Sequence, residues 1–511
     1  MWRSQLMENI FQDWRRFFML PFNPGGHAAY QDHVVTNLRE YYSDSSSIPN
    51  SVWDILEPFF ALDLSDIDKL LQTRYSVLGP KPRLPSSMLR SVLLALEFKI
   101  TSFTDWVAAM KTCPLYAIAS GFDVGDTPGV GTFYDFFKRL WISAHENSSP
   151  NLRKPKKKVK KPTKKGVKAE PPDKITVEKL IRELSENPVS PDQPYSLLFS
   201  IFKEQFLDTS AHKGLISPLK IALAGDGMPV VTSARERKKR TCKCFDDGIR
   251  NCDCERDYSQ PDCDIGWDSS RSYFYSGYGL YMLTASDSEN DLPVFPLFGP
   301  ASRHDSLGFV YSFFAMKTFL PEYRATKLLL DSAHDAMPIY EHCRQNRITP
   351  FIDLNAKRGI KLKYKNDFTV GSDGVPRCMA GRKMRHDGSE KKKHRLKFRC
   401  PMFNRTHGCK CSNPCSDAKY GRTVHLQMKD NPRIFNIPSR DSDAWKIEYK
   451  ARTSAERTNK RIKIDFLLES GRHRSSKMWY CRLYCIMMLQ HLNAWGLPKE
   501  TSLKSLVAQA S

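Results

Sequence analysis

Long apolar runs are missing from this sequence. Its longest apolar clusters, 91–98 and 483–489, are far shorter than the ~20 residues that a membrane-spanning helix requires. The first 22 residues mix aromatic, basic and acidic side chains, without the continuous apolar core and small-residue cleavage site of a secretory signal. The sequence therefore predicts a cytoplasmic protein that does not span a membrane.

Acidic residues are scarce relative to basic ones. The chain has 79 Lys and Arg against 56 Asp and Glu, which gives a formal charge of +23 and an isoelectric point near 9.4. A field of this sign attracts polyanions and favours a nucleic acid as the partner, with an acidic protein as the weaker alternative. Because 41% of the 511 residues are hydrophobic, we expect about two to four folded domains rather than a disordered chain.

One acid stands among evenly spaced basic residues near the C-terminus. Tyr449, Arg452, Glu456 and Lys463 follow one another at spacings of three, four and seven residues, so on a single helix all four would share one face. A carboxylate can hold a hard divalent cation, while guanidinium and ammonium groups bind phosphate oxygens. The alternative is a solvated basic helix in which the acid forms ordinary i,i+4 pairs with Arg452 and Lys460.

Two further acids lie where strands are predicted to end. Asp226 interrupts the apolar run 220–231 and precedes a glycine, and Asp331 ends the run 326–331. Taken singly, the first would be an Asp-Gly turn and the second a helix N-cap. Asp335 is the alternative to Asp331, because it fits the turn that follows the strand. We select Asp331 because it fits the strand end better.

The late helix resembles the signature around the last acid of bacterial insertion-sequence DDE transposases. The segments around Asp226 and Asp331 resemble the first and second acid segments of that family. The second segment usually continues into a Gly-Tyr-Asp turn, which here reads Ser332-Ala-His334-Asp335. The resemblance implies that Asp226, Asp331 and Glu456 are catalytic and hold two Mg²⁺ or Mn²⁺ ions. Two such ions, about 3.5–4 Å apart, activate the attacking oxygen and stabilise the leaving oxygen of a phosphodiester.

The same resemblance implies the function and the partners. Such enzymes cleave DNA at the ends of a mobile element and transfer the freed 3′ hydroxyl to target DNA. We therefore expect double-stranded DNA as the partner, a homodimer or larger synaptic complex, and a place in the bacterial nucleoid. The side chains expected to contact DNA are Tyr449, Arg452 and Lys463 on the helix and Arg472, Arg474 and Lys477 in the loop that follows.

Other classes of function remain open. A metal-dependent DNA nuclease without strand transfer would share the acids but would give no joined products. An inactive DNA-binding derivative would leave DNA unchanged after Mg²⁺ is added. In a zinc-dependent structural or interaction protein the acids would be incidental, and DNA cleavage would exclude it.

The predicted fold class is an α/β catalytic core with an N-terminal helical domain and cysteine-rich inserts. Strand-like segments at 219–225, 273–284, 326–331 and 349–354 alternate with helix-like segments at 305–319 and 336–347. The resemblance implies that they form a ribonuclease H-like mixed sheet with flanking helices. Helices are also predicted at 87–98, 102–110 and 131–140, in a region that resembles the end-recognition domain of these enzymes at 104–106 and 128–134. The alternative for that region is a plain packing or dimerisation domain.

Composition divides the chain into six parts. They are an N-terminal helical domain, expected to bind DNA ends, at 1–145; a flexible linker at 146–175; the first part of the core at 176–355, with a cysteine-rich insert at 241–265; a basic cysteine-rich insertion at 356–440; the rest of the core at 441–497; and a tail at 498–511. Residues 153–168 contain ten basic residues in sixteen, which predicts a disordered linker that lies along phosphates or is simply solvated. A nuclear-localisation signal has the same composition.

Ten of the fourteen cysteines fall into two clusters of five. Thiols stay reduced in a chain without a secretory signal, so structural Zn²⁺ is favoured over disulfides, although the Cys-X-Cys spacing is shorter than in most zinc sites. Free thiols are the alternative. The candidate ligands are Cys242, Cys244, Cys252, Cys254 and Cys263 in the first cluster and Cys378, Cys400, Cys409, Cys411 and Cys415 in the second.

Overall fold

The computed structural model describes most of the chain between residues 26 and 508. The described residues are 26–42, 45–76, 82–143, 175–234, 243–244, 246–249, 260, 263–269, 271–355, 368–371, 373–404, 406–412, 414–418, 420–471, 473–496 and 502–508. The predicted Lys-rich run lies outside them, as do Arg472, Cys242, Cys252 and Cys254.

The N-terminal region is helical. It contains α1 (Gly26–Tyr41), α2 (Asn50–Ala61), α3 (Ser65–Leu71), α4 (Pro85–Glu97), α5 (Phe103–Thr112), α6 (Pro114–Ser120) and α7 (Val130–Leu140). The predicted helices at 87–98, 102–110 and 131–140 are confirmed as α4, α5 and α7. Helix α4 is the centre of this region, because every residue from Pro85 to Leu96 is buried. Trp106 on α5 donates to Ser91 Oγ at 2.8 Å and so fixes α5 on α4.

A six-stranded mixed sheet follows. Its strands are β1 (Ile221–Val231), β2 (Asp264–Asp268), β3 (Tyr273–Ala285), β4 (Leu292–Pro300), β5 (Ala325–Leu330) and β6 (Thr349–Ile352). The order is β2-β3-β1-β5-β6, with β4 paired to β3; β1 is antiparallel to β3 and parallel to β5, and β5 is parallel to β6. Four of these strands were predicted. Strand β4 was not predicted, because its prolines are unusual in a strand. They are tolerated here because β4 is an edge strand that pairs with β3 alone.

Helices cover the sheet and join it to the N-terminal region. They are α8 (Val177–Glu186), α9 (Ser196–Phe202), α10 (Asp208–His212), α11 (Asp305–Phe319), α12 (Met337–Gln345), α13 (Asp443–Lys450), α14 (Thr453–Lys460) and α15 (Ser476–Ala494). As predicted, α15 is a core helix: His491 and Cys485 are fully buried, and His491 bonds to Ser210 Oγ at 2.8 Å and to Pro293 O at 2.9 Å. One hydrophobic core runs from Val34 to Val507.

The segment before the late helices forms a smaller layer. It contains β7 (Phe368–Val370), β8 (Pro376–Cys378), β9 (Arg385–Glu390), β10 (Arg395–Arg399), β11 (Phe403–Asn404), β12 (Gly408–Cys409) and β13 (Thr423–Gln427), with β9, β10 and β13 in one sheet. Its own apolar core centres on Leu396, Phe398 and Phe435.

The expected tail contains the helix α16 (Leu503–Ala508). This helix packs on α1 and α2, and the backbone N–H groups of Leu503 and Lys504 donate to Glu57 at 2.8 and 3.1 Å. Across the described ranges, every helix is too short or too polar to cross a bilayer.

Candidate active site

The sheet holds two of the predicted acids side by side. In the parallel pairing of β1 with β5, Ala224 lies opposite Leu329, and Asp226 and Asp331 each follow two residues later. The expectation that β1 ends before Asp226 is wrong, because antiparallel pairing with β3 continues to Val231. Strand β5 stops at Leu330, so Asp226 lies at the point where its parallel neighbour ends.

A short hydrogen-bonded chain fixes Asp331. Its Oδ1 accepts the backbone N–H of Ala333 at 3.0 Å and lies 2.6 Å from His334 Nδ1, so Asp331 also caps the turn that follows β5. His334 Nε2 lies 2.8 Å from Tyr281 Oη on β3. Partial burial raises the pKa of Asp331, but the hydrogen bond and charge of His334 outweigh it and hold that pKa below the usual value. Asp331 is therefore ionised and held in one position.

Asp226 has the opposite electrostatic environment. Burial, followed by the charges of Asp331 and Asp305, raises its pKa to about 6. Asn459 on α14 donates its Nδ2 to Asp226 Oδ2 at 3.2 Å, while Asn459 Oδ1 is buried and has no hydrogen-bond partner among the described residues. The surroundings of Asp226 are therefore short of positive charge.

The late acidic-basic segment is two helices rather than one. Helix α13 ends at Lys450 and α14 begins at Thr453. Between them the backbone bonds shorten to an i to i−3 pattern, and Thr453 Oγ1 donates to the carbonyl of Lys450 at 2.9 Å. The single helix predicted from the spacing is wrong at this point, because a side-chain hydroxyl occupies a carbonyl that a continuous helix would use.

Glu456 lies on α14 and pairs with Arg452, the residue at the break that immediately precedes this helix. The guanidinium of Arg452 donates to Glu456 Oε1, which is one of the i,i+4 pairs of the solvated-helix alternative. The carboxylate is half exposed, whereas Arg452 is largely covered. In this conformation no three His, Cys, Asp or Glu side chains among the described residues come close enough to hold a metal ion.

The other predicted DNA contacts differ in their surroundings. The ring of Tyr449 stacks on Trp445, with centroids 4.4 Å apart. Arg474 is exposed, whereas Lys477 is only 5% exposed in the first turn of α15, which argues against contact with DNA. Lys463 Nζ donates to Pro229 O at 3.0 Å and lies 3.1 Å from Glu469 Oε1.

Substitution of Lys463 by Met is expected to lower the free energy of unfolding by about 1–3 kcal/mol, because it leaves part-buried polar groups at the end of β1 without their partner. Urea unfolding of the full chain measures this loss. Lys460→Met, on the exposed side of α14, is the control and should change stability little. Unchanged stability together with weakened DNA binding would assign Lys463 to DNA alone.

Asp335, the alternative to Asp331, makes structural contacts beside the acids. It is fully buried, and Arg433 donates to both of its oxygens at 2.8 and 2.6 Å. Tyr340 Oη and the backbone N–H of Asn355 add bonds of 3.1 and 2.8 Å. Because its oxygens are occupied in this way, Asp335 ties the small β layer to the sheet.

Three residues near the acids were not predicted. Asp305 begins α11, and a Cβ at Gly227 would collide with its carboxylate. His334 occupies the turn that differs from the Gly-Tyr-Asp turn usual in the family. This difference in sequence could have marked His334 as a residue of the site. Asn459 stands three residues after Glu456, a spacing that places both on one side of a helix. No sequence pattern marked Asp305.

The zinc prediction has no support at the described cysteines. Cys263 is buried, and its thiol lies 3.6 Å from Thr232 Oγ1 and 3.5 Å from Gln260 Oε1, within the core. The candidate zinc ligands Cys244, Cys378, Cys400, Cys411 and Cys415 join no group of three or more metal-type ligands in the described part of the chain. The side chain of Cys409 lies outside it.

Comparison with protein families supplies the remaining observation. Residues 254–490 match the family model described as a transposase DDE domain. The chain contains a DDE transposase domain of the insertion-sequence type. Its mixed sheet and flanking helices are the ribonuclease H-like α/β core that the sequence predicted. Asp331 and Glu456 lie inside the matched span of the DDE domain, and Asp226 precedes it. Neither a curated protein nor a solved structure matches the chain.

Proposed function

We propose that this transposase cleaves phosphodiester bonds at the ends of a mobile element and transfers the freed 3′ hydroxyl to target DNA. The observation that carries the proposal is the pair of aspartates held level by β1 and β5, with Glu456 on the helix that contacts Asp226 through Asn459. The net charge of +23 suits a DNA partner. The N-terminal helical region would bind the element ends, and two ends require a dimer or larger assembly.

Asp226, Asp331 and Glu456 would hold Mg²⁺ or Mn²⁺ in this proposal. Their donors are hard oxygens of the kind these ions prefer. The Oδ1 of Asn459, which is buried without a hydrogen-bond partner, and the raised pKa of Asp226 both favour a bound cation at this place. When bound, two ions would activate the attacking oxygen and stabilise the leaving one.

The chain's own residues would orient both substrates. His334 holds Asp331 toward the site, and Asn459 holds Asp226. Arg452 would exchange the carboxylate of Glu456 for a DNA phosphate, which its planar guanidinium binds in two-pronged fashion. Exposed Arg474 would contact the flanking strand, and Tyr449 would lie near the terminal nucleotide.

Removing the charge of Asp226 is expected to stabilise the metal-free protein. Because its pKa is higher in the folded state, protonated Asp226 favours folding. This contribution to the free energy of unfolding is fully present below pH about 4 and is lost as the pH rises through about 6. Asp226→Asn should therefore gain on the order of 2 kcal/mol at pH 8 in EDTA and nothing near pH 3.5. Mg²⁺ should raise the melting temperature of the wild type more than that of the variant.

Thermal unfolding at both pH values measures this difference, with the exposed Asp443→Asn as the matched control. A variant less stable than the wild type at pH 8 would contradict the electrostatic account of Asp226.

The function is tested with a supercoiled plasmid that carries the coding region and its native flanks. Purified protein is added with Mg²⁺ or EDTA, and the products are sequenced. Metal-dependent breaks at fixed flanking positions, joined to new DNA, are expected. Breaks without joining would favour a nuclease, and bound but unchanged DNA would favour an inactive derivative.

A further inference from the structure

The turn between β3 and β4 contacts the helix that carries Glu456. Asp291 is the last residue of this turn, and it is only 6% exposed. Its carboxylate accepts two bonds from Arg457, from Nε at 2.6 Å and from Nη2 at 2.7 Å, and a third from Arg461 at 3.2 Å. Its backbone carbonyl accepts the hydroxyl of Thr458 at 2.7 Å. Because two-pronged bonding between guanidinium and carboxylate fixes direction as well as distance, Asp291 holds α14 in one orientation.

The backbone of Asp291 has a conformation that few residue types tolerate. Its φ is +48°, in the left-handed region, which Asp and Asn enter more readily than other residues with a side chain. Both the carboxylate and the carbonyl of this one residue meet α14. Asp291→Asn therefore removes the charge without straining the turn.

Arg457 extends this contact to the break between α13 and α14. Its Nη1 donates to Thr453 Oγ1 at 2.7 Å, and that hydroxyl donates in turn to the carbonyl of Lys450 at 2.9 Å. A guanidinium can only donate, so the hydroxyl must accept from Arg457, and its own proton is left for Lys450. A continuous chain of hydrogen bonds therefore joins Asp291 to the point where the two helices separate.

The position of Glu456 depends on these contacts. Its carboxylate pairs with Arg452 and, among the described residues, makes no hydrogen bond to the sheet. The next two residues along α14 are Arg457 and Thr458, which Asp291 holds. Asn459 follows them and bonds to Asp226. The backbone that carries Glu456 is thus fixed by its neighbours and not by Glu456 itself.

We propose that Asp291 is a positioning residue for DNA cleavage: it fixes the orientation of α14 and the place of the helix break, and so directs Glu456 toward the two aspartates. The inference rests on the proposed function, which assigns Glu456 to the site. Asp291 acts through α14 and touches neither DNA nor metal ions in this proposal. Displacing a reacting group by about 1 Å can slow a reaction by about a hundredfold, so loss of this contact should slow cleavage.

The test measures Mg²⁺-dependent cleavage of a native-flank duplex by the full chain, per folded molecule. Asp291→Asn should lower kcat by about a hundredfold and leave KM unchanged, whereas a merely structural role would reduce the folded fraction and leave kcat as it is. Arg457→Lys keeps the charge but loses the planar fork, and Thr453→Val breaks the same chain, so both should lower kcat by about tenfold or more. Glu289→Gln, at an exposed acid of the same turn, is the control and should cleave at the wild-type rate.

Hydrogen exchange of the backbone amides at 451–461, in EDTA and without DNA, gives a readout that does not depend on activity. Asp291→Asn should speed exchange there by about tenfold or more and leave the amides of α15 unchanged. The proposal is overturned if Asp291→Asn keeps the wild-type kcat, or if exchange in α14 does not change. Faster exchange in a chain whose wild type cleaves no DNA would sink the proposed function, and with it the role of Asp291 in cleavage, but not its hold on α14. Equal cleavage by the wild type and Asp291→Asn would do the reverse.

Discussion

Glu456→Gln is expected to lower the rate of Mg²⁺-dependent DNA cleavage by about a thousandfold or more while leaving the fold unchanged. Gln keeps the shape of the side chain but removes the charge that would hold a divalent ion. The carboxylate is half exposed and bonds within the described structure to Arg452, so its loss costs little stability. Cleavage of a labelled duplex from the native flank measures the effect.

Glu448→Gln is the matched control, because Glu448 lies on the neighbouring helix α13 and does not contact the three acids. Its Oε2 pairs instead with Lys327 Nζ at a distance of 2.7 Å. Exposed pairs of this kind contribute only about 0–1 kcal/mol. Asp226→Asn and Asp331→Asn should match the defect of Glu456→Gln, and the triple variant should be little worse, since groups that act as one unit are not additive. Full activity in Glu456→Gln would remove that residue from the site.

Arg433→Met is expected to lower the free energy of unfolding by about 3–5 kcal/mol, the largest stability effect that we predict. The change leaves the Asp335 carboxyl group fully buried and without its two guanidinium bonds, and breaking one side of a buried pair has this magnitude. Denaturant unfolding measures the loss, and Arg385→Met at an exposed position of β9 is the control.

Asp335→Asn separates a structural role from a catalytic one. We expect reduced stability and, per folded molecule, cleavage close to the wild-type rate. A stable variant that has lost cleavage would move the second acid from Asp331 to Asp335.

The sequence predicted those parts of the fold that local pattern determines. Strands β3, β5 and β6 and helices α11 and α12 follow from runs of apolar residues with the right period. Strand β4 did not, because its prolines disfavour a strand unless it lies at an edge, and edge position is decided by distant pairing. Similarly, β1 extends past Asp226 only because β3 pairs with it.

The site shows the same division. Regular spacing predicted a role for Glu456 and its basic neighbours, and the resemblance connected them with the two aspartates; these roles remain predictions. Contacts between residues far apart in the sequence could not be predicted. Arg433 binds Asp335 across 98 residues, and Asp305 approaches Gly227 only because α11 packs on β1. Nor could spacing reveal that Thr453 interrupts the late helix.

The pair formed by Arg452 and Glu456 has a thermodynamic consequence. In the proposed function a cation needs the carboxylate and a DNA phosphate needs the guanidinium, so each ligand frees the group that the other requires. Such linkage is reciprocal: DNA would tighten the binding of Mg²⁺ by the same factor by which Mg²⁺ tightens the binding of DNA. Without DNA the protein would then bind Mg²⁺ weakly, and without Mg²⁺ it would bind the DNA phosphate weakly. The carboxylate of Glu456 and the guanidinium of Arg452 would be available for cleavage only when both ligands are present.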